Sequence, residues 1–501
     1  MTELMVPEAR DSTMRSTYRN APAKDLFRPE ERTLIWAERR GYGVDHVTAR
    51  GDVLGKEFVL EKDQDSVRRK QVRSAGIASL TGWAMDLYDL TIILYLAPII
   101  GPLLFPSHNP TLQLTFVYAS FAVTLIFRPL GSALFGGYAD RNGRKRAMMV
   151  AILGVGLSTA GMGLVPTYAT VGFVAPLLFL ALRVVQGVFV GGVVASTHTL
   201  GTETVSAEHR GLMSGLVAGG GAGAGAVVAS LVYFLVSAII PSDDFGLYGW
   251  RVMFFTGLLT AVFSFYIYRH TEESPLWQGK GSAQEVRKSP IRVVFGPQYR
   301  KFTLLNIAIA GGGATMYYLT VGFFPTFFGT NLGITKTSSA IILILANIGI
   351  IAGGLVGGRL SDRVGRRAVF LAFGAPNVVL LPVLYVWLAS LDSSNPVLVA
   401  LIATMMAFSI MAATAPTLIF LNERFPTEIR ATGTGLSWNI GFAIGGITPA
   451  IVTAISPSVS DIPGRLAISI TIAAVVFLLA ALRARETRHL GLGENTELQP
   501  A

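Results

Sequence analysis

A ten-residue pattern occurs twice in this chain, about half the chain length apart. Gly136-Gly137-Tyr138-Ala139-Asp140-Arg141-Asn142-Gly143-Arg144-Lys145 and Gly358-Arg359-Leu360-Ser361-Asp362-Arg363-Val364-Gly365-Arg366-Arg367 both read Gly-x3-Asp-Arg-x-Gly-Arg-(Lys/Arg). The two aspartates are 222 residues apart in a chain of 501. A second pair keeps the same beat. Glu203 precedes Arg210 by seven residues, Glu423 precedes Arg430 by seven, and the glutamates are 220 apart. Each copy lies between two long apolar runs. A repeat of this length in such a chain implies a duplicated bundle of membrane helices.

Composition supports a membrane solvent. Half of the residues are hydrophobic (51%) and only 14% are charged, against about 25% charged in soluble domains. Mean hydropathy is +0.53. Twelve apolar runs are about long enough to cross a bilayer. They cover 76–101, 113–138, 146–166, 171–196, 211–238 and 250–268 in the first half. The second half has 302–328, 338–360, 368–391, 396–420, 431–454 and 464–483. Lipid cannot satisfy a free backbone N–H or C=O, so each run is expected to be a helix. The expected fold is an all-α integral membrane protein of twelve helices in two pseudo-symmetric six-helix bundles. Its expected divisions are a polar extension (1–72), a first bundle (73–268), a polar linker (269–300), a second bundle (301–485) and a tail (486–501).

Charge placement gives an orientation. Arg141, Arg144, Lys145, Arg210, Lys280, Arg363, Arg366, Arg367 and Arg430 all follow even-numbered runs; Lys336 is the main exception. The positive-inside rule then places both termini in the cytoplasm. The net charge of +10 is read by this position and not as a nucleic-acid surface. No apolar run follows the first basic residues, so the N-terminal 72 residues do not read as a signal peptide; the stretch from Asp25 to Arg40 can form a short amphipathic helix. The chain has no cysteine. No metal-ligand cluster, nucleophile triad or phosphate loop occurs, and the loop glycines do not follow a strand. No enzyme activity, cofactor or metal is expected.

Charges inside the apolar runs are rare and costly, which makes each one a candidate site. Asp86 and Asp89 lie about one helical turn apart in the first run, near mid-depth, and are the candidate proton carriers. Arg183 lies at similar depth in the fourth run. A salt bridge between Arg183 and one aspartate would leave the other free to titrate. In that reading the aspartate and an anionic solute compete for Arg183, the candidate anion anchor. Tyr88, Gln186, Asn306, Tyr317, Tyr318, Asn347 and Asn439 are the polar residues placed to line a solute site. Arg128, near the end of the second run, can snorkel to the interface and reads as a gate or structural residue. Trp438, near the cytoplasmic end of the eleventh run, reads as an interface anchor. Gly215, Gly219 and Gly223, and likewise Gly349, Gly353 and Gly357, recur every four residues and allow close helix approach.

The repeated Gly-x3-Asp-Arg-x-Gly-Arg-Lys loop resembles the loop between helices 2 and 3 of the major facilitator superfamily. Arg183-Val184-Val185-Gln186-Gly187 is similar to the Arg-x-x-x-Gly element of its proton-coupled members. Within it, Asp86-Leu87-Tyr88-Asp89-Leu90, Phe127-Arg128-Pro129-Leu130-Gly131 and Gly445-Gly446-Ile447-Thr448-Pro449 resemble the metabolite:proton symporter group and its sialate and monocarboxylate relatives. The resemblance implies a monomeric secondary transporter of the bacterial inner membrane. Its partners would be protons, a small organic anion such as a carboxylate, and the lipid bilayer. It also implies gates built from Gly136, Asp140, Arg141, Gly143, Arg144, Arg128, Glu203 and Arg210, and from Asp362, Arg363, Gly365, Arg366, Glu423 and Arg430. Two other transport readings stand beside it. Glu273-Ser274-Pro275-Leu276-Trp277 resembles a segment of sugar and polyol porters. A drug:proton antiporter would carry a proline in the glycine run of the fifth helix, and Gly215–Gly225 has none. A non-transporting receptor is the alternative from another class.

Overall fold

The structure is a computed structural model, and it describes residues 51–142, 144–203, 205–262, 290–391, 393–426 and 429–490. The chain divides into two units, Met1–Lys70 and Gln71–Ala501. In the first unit only the helical backbone from residue 51 is described. The expected helix from Asp25 to Arg40 and most of the 269–300 linker lie outside the described residues.

The second unit is helical and apolar. Its membrane helices are α1 (Gly51–Leu104, in this unit from Gln71 and apolar from Ser79), α2 (Pro110–Asn142), α3 (Arg144–Met162) and α4 (Val174–Glu203). Then come α5 (Arg210–Ile239), α6 (Phe245–Val262), α7 (Arg300–Thr330) and α8 (Lys336–Val364). The last four are α9 (Arg366–Ala389), α10 (Pro396–Glu423), α11 (Arg430–Ala454) and α12 (Ile462–Arg483). Among the described residues, eleven of these are long and apolar enough to cross a bilayer, and α3 is a shorter apolar helix. α3 ends early because Gly163 and Leu164 donate to Ala160 and Gly161. These i→i+3 bonds tighten the last turn and satisfy two of the terminal carbonyls.

The contacts repeat with a shift of six helices. α2 packs on α4 as α8 packs on α10, and α3 meets α6 as α9 meets α12. The two halves meet through α2 against α11 and α5 against α8, pairs that exchange under the same shift. This is the pseudo-two-fold relation that the repeated motif predicts.

Glycine sets the α5–α8 distance. A Cβ on Gly215 would stand 2.0 Å from the Gly354 carbonyl oxygen, and one on Gly358 would stand 2.5 Å from the Gly211 oxygen. Gly349, Gly353 and Gly357 face α10 instead, against the carbonyls of Thr404, Phe408 and Ala412. So α8 carries one glycine face for its own bundle and another for the opposite bundle. In the same region α5 takes a π-helical turn over Leu216–Gly221. Gly215→Ala is therefore expected to push α5 off α8 at a cost of about 1–3 kcal/mol, the usual range for overpacking. A thermal-unfolding comparison in detergent checks this, with Gly435→Ala as control, because a Cβ there meets nothing within 4 Å. Equal melting temperatures for the two variants would contradict the tight crossing.

Candidate functional site

Two small residues of α4 bring its backbone against α2. A Cβ on Gly187 would lie 2.4 Å from the Thr124 carbonyl oxygen, and one on Gly191 would lie 2.1 Å from that of Arg128. This crossing sets Arg183 of α4 near Arg128 of α2. Arg128 donates from Nη2 to Asp86 Oδ1 at 3.0 Å, and each side chain is 1% exposed. The expected snorkelling of Arg128 is thus corrected: it turns inward to pair with α1. The expected pairing of Arg183 with an aspartate is corrected as well. Arg183 donates to the backbone carbonyls of Ser120 at 3.2 Å and Phe121 at 3.4 Å, and to Gln186 Oε1. Its guanidinium also lies 5.7 Å from the centre of the Phe121 ring. No Arg183 ion pair exists among the described residues.

The two aspartates diverge because three residues of α-helix turn the chain about 300°, which leaves them about 60° apart. Asp86 faces α2. Asp89 faces α3 and α6, where the Thr159 and Thr260 hydroxyls approach it without meeting hydrogen-bond geometry. Asp89 is 1% exposed, and neither of its oxygens has a hydrogen-bond partner among the described residues. An ionised carboxylate there is poorly compensated, so gain or loss of a proton is a change of large energetic consequence. Next to it, Tyr88 donates to the Thr256 hydroxyl of α6.

Between the bundles lies a cleft with about 520 Å³ of empty space, counting its open side. Its walls include Trp83 and Leu87 of α1, Ala218 and Ala222 of α5, and Tyr317 with the small and apolar residues before it on α7, together with Met411, Thr414 and Thr417 of α10 and Trp438 and Phe442 of α11. No charged side chain lines it among the described residues. Trp438 stacks on Phe442 at 4.2 Å and 24°, and meets Trp83 at 5.8 Å and 60°. Trp438 is 6% exposed, so the expected interface anchor is corrected to a cleft wall. Tyr318 stands behind the wall, edge-on to both Phe442 and Phe121. The hydroxyls of Tyr318 and Thr417 are buried without a hydrogen-bond partner among the described residues.

Of the residues expected to line a solute site, Tyr317 does so, while Tyr88, Arg183, Gln186 and Tyr318 belong to the layers behind it. The asparagines join helices instead. Asn306 accepts from Arg424 at 3.1 Å. Asn347 of α8 donates to the Tyr95 hydroxyl of α1 at 3.1 Å and the Ser230 hydroxyl of α5 at 3.2 Å, tying the bundles together. Asn439 reaches the Ser132 hydroxyl at 3.5 Å. Sequence reasoning missed Trp83 and Phe442. The available clue was spacing: Trp83 and Leu87, like Trp438 and Phe442, are four residues apart and share a helix face.

The second copy of the repeated loop is well described. Asp362 accepts the backbone N–H groups of Gly211 and Leu212, both at 2.7 Å, at the start of α5. A carboxylate there complements the partial positive charge of a helix N-terminus. Asp362 also pairs with Arg366 at 3.0 Å, and Arg366 pairs with Glu423 at 3.0 Å. Arg430 binds the carbonyls of Asn422 and Phe425, and Arg210 lies near Glu423. Gly365 holds φ of 103°, which favours glycine. Glu486, after α12, caps the start of α9 by accepting the N–H groups of Arg366 and Arg367 at 2.8 and 3.0 Å. The Arg363 carbonyl accepts from Arg488. In the first copy, Gly143 lies outside the described residues. The side chains at Asp140, Arg141, Arg144 and Glu203 lie outside them too, although the backbone there and at Gly136 is helical.

The sequence matches the family described as Major Facilitator Superfamily over residues 75–450 and 318–495. It is 31% identical to the inner membrane metabolite transport protein YhjE of Escherichia coli (strain K12). That match spans 440 residues, 86% of this chain and 98% of that protein. It is 30% identical over 433 residues to a proline/betaine transporter of the same organism, covering 83% of this chain and 84% of that protein. The fold resembles that of the proton:xylose symporter XylE, with a TM-score of 0.65 at 16% identity, over 85% of this chain and 98% of that one. With its multi-pass helices and its paired bundles, the chain belongs to the Major Facilitator Superfamily, a family of membrane transporters and not of enzymes.

Proposed function

We propose that this transporter is a proton-coupled symporter for a small solute that joins a carboxylate to a positively charged nitrogen, working by alternating access as a monomer in a bacterial inner membrane with both termini cytoplasmic. Residues 73–268 and 301–485 would be the moving bundles, joined by the 269–300 linker. The observation that carries the substrate class is the cleft wall: Trp83, Trp438, Phe442 and Tyr317, with no charged side chain lining it among the described residues. Aromatic faces attract cations by about 0.5–2 kcal/mol each, more when dry, and quaternary ammonium groups are bound this way. The unpartnered hydroxyl of Thr417 would serve the carboxylate end. The names of relatives that carry proline and betaine fit this reading, since both solutes combine these two groups. Asp89 is the proton carrier in this scheme, because Asp86 is committed to Arg128. The Asp362 contact with α5 and the Asn347 contact with Tyr95 and Ser230, both between the bundles, would serve as gates.

A second reading keeps a plain organic anion, with Arg183 as its anchor. It rests on the burial of Arg183 at the depth of Asp89. Calorimetric titration of the purified protein separates the two. Betaine or proline is expected to bind saturably and lactate not. Phe442→Ala should weaken betaine binding about tenfold, the equivalent of one lost cation–π contact of about 1.4 kcal/mol. Lactate binding without betaine binding would move the conclusion to the organic anion.

A further inference from the structure

The proton site does not touch the cleft. Asp89 points into the first bundle, toward α3 and α6, while the cleft is reached from α1 by Trp83 and Leu87. Protonation must therefore act at a distance, and a run of hydrogen bonds followed by ring contacts leads from beside Asp89 to the cleft wall. The Thr159 hydroxyl stands beside Asp89. It donates to the Val155 carbonyl at 2.9 Å and accepts from Gln186 Nε2 at 2.7 Å. Gln186 Oε1 accepts from Arg183. Arg183 in turn grips the α2 carbonyls of Ser120 and Phe121. The Phe121 ring packs edge-on against Tyr318 at 5.2 Å, and Tyr318 meets Phe442 of the cleft wall at 6.0 Å.

We propose that Thr159 and Gln186 are positioning residues that pass the protonation state of Asp89 to Arg183 and so to the α2 wall of the cleft. This rests on Asp89 being the proton carrier. With a proton on one oxygen, Asp89 is neutral and Thr159 keeps its bond to Val155. When that proton leaves to water, the carboxylate takes the hydroxyls beside it, Thr260 from α6 and Thr159 from α3, and Thr159 gives up its bond to Val155. Gln186 then loses or shifts its acceptor, and the amide it presents to Arg183 turns with it. Arg183 is freed to move from the α2 carbonyls toward the new negative charge. No bond other than the O–H of Asp89 is made or broken. The charged and titratable groups facing Asp89 are Asp86 and Tyr88 from its own helix and Arg183 from α4. From α3 and α6 it is faced by the Thr159 and Thr260 hydroxyls. Arg128 of α2 and Tyr318 of α7 stand one step further, around Asp86 and Arg183.

Thr159→Val keeps the shape and removes the hydroxyl. In proteoliposomes containing the full chain, gradient-driven uptake of betaine is measured against pH, with betaine binding in detergent measured in parallel. The pH of half-maximal uptake is expected to rise by about one unit, since the carboxylate loses a hydrogen-bond donor and one unit corresponds to 1.36 kcal/mol. Betaine affinity should stay within twofold of wild type, and Thr159→Ser should restore the profile. Gln186→Leu is expected to lower the number of protons moved per solute while leaving binding intact. A Thr159→Val profile identical to wild type would overturn the relay. So would altered betaine affinity with an unmoved profile, which would make Thr159 a packing residue. Asp89→Asn separates the levels. If that variant still concentrates betaine, the carrier assignment fails and the relay fails with it. If it does not, while Thr159→Val behaves as wild type, only the relay is lost.

Discussion

Asp89→Asn is expected to abolish uphill uptake driven by a pH gradient, at least a hundredfold below wild type, while sparing counterflow of solute across the same membrane. Asparagine has nearly the shape of the protonated acid but cannot release a proton. The symport cycle needs that release once per turnover, whereas exchange can run with the carrier permanently neutral. The choice of Asp89 over Asp86 follows from partners. Asp86 already holds Arg128 at 3.0 Å, while Asp89 is buried without a hydrogen bond among the described residues. Asp86→Asn in the same proteoliposomes is the internal comparison. Accumulation by Asp89→Asn at the wild-type level would place the coupling site elsewhere.

The second large effect is expected at Arg128. Arg128→Met should leave Asp86 as a buried carboxylate with no base against it. Breaking a buried ion pair by removing one partner costs about 3–5 kcal/mol, enough to remove most of the folded protein from the membrane. The double variant Asp86→Asn/Arg128→Gln removes both charges, keeps hydrogen-bonding groups at the same places, and should recover most of the yield. Recovery of yield without recovery of transport would show that the pair also has a part in the cycle. The readout is the amount of monodisperse protein extracted, followed by uptake. Equal yields for Arg128→Met and wild type would mean that water reaches the pair.

Much of this protein was legible from its chain. The apolar runs foretold the helices because lipid leaves a backbone no other way to satisfy its hydrogen bonds. The repeat foretold two bundles, and the contacts of α2 with α4 and α8 with α10 bear the same shift of six. Proximity was partly legible as well: counting along the helices put Asp86, Asp89 and Arg183 at one level, and Asp89 and Arg183 lie near each other. Direction was not. In a soluble helix the apolar stripe marks the buried face, but a membrane helix is apolar all round, and its neighbours are chosen by small-residue packing and polar contacts. So the chain determined which helices carry the charges. Only the tertiary packing decided that Arg128 would meet Asp86 of α1 and, through the close crossing of α4 on α2 at Gly187 and Gly191, that Arg183 would bind α2 carbonyls. Likewise the chain placed Trp438 near a helix end, which by composition suits a membrane interface. The approach of α11 to α1 turned it against Trp83 and made it a wall of the cleft. Glu486 lies 120 residues beyond the Arg366 N–H that it caps, and no local pattern could join them. Partners that distant in sequence are set by the packing of helices, which is a property of the assembled bundle.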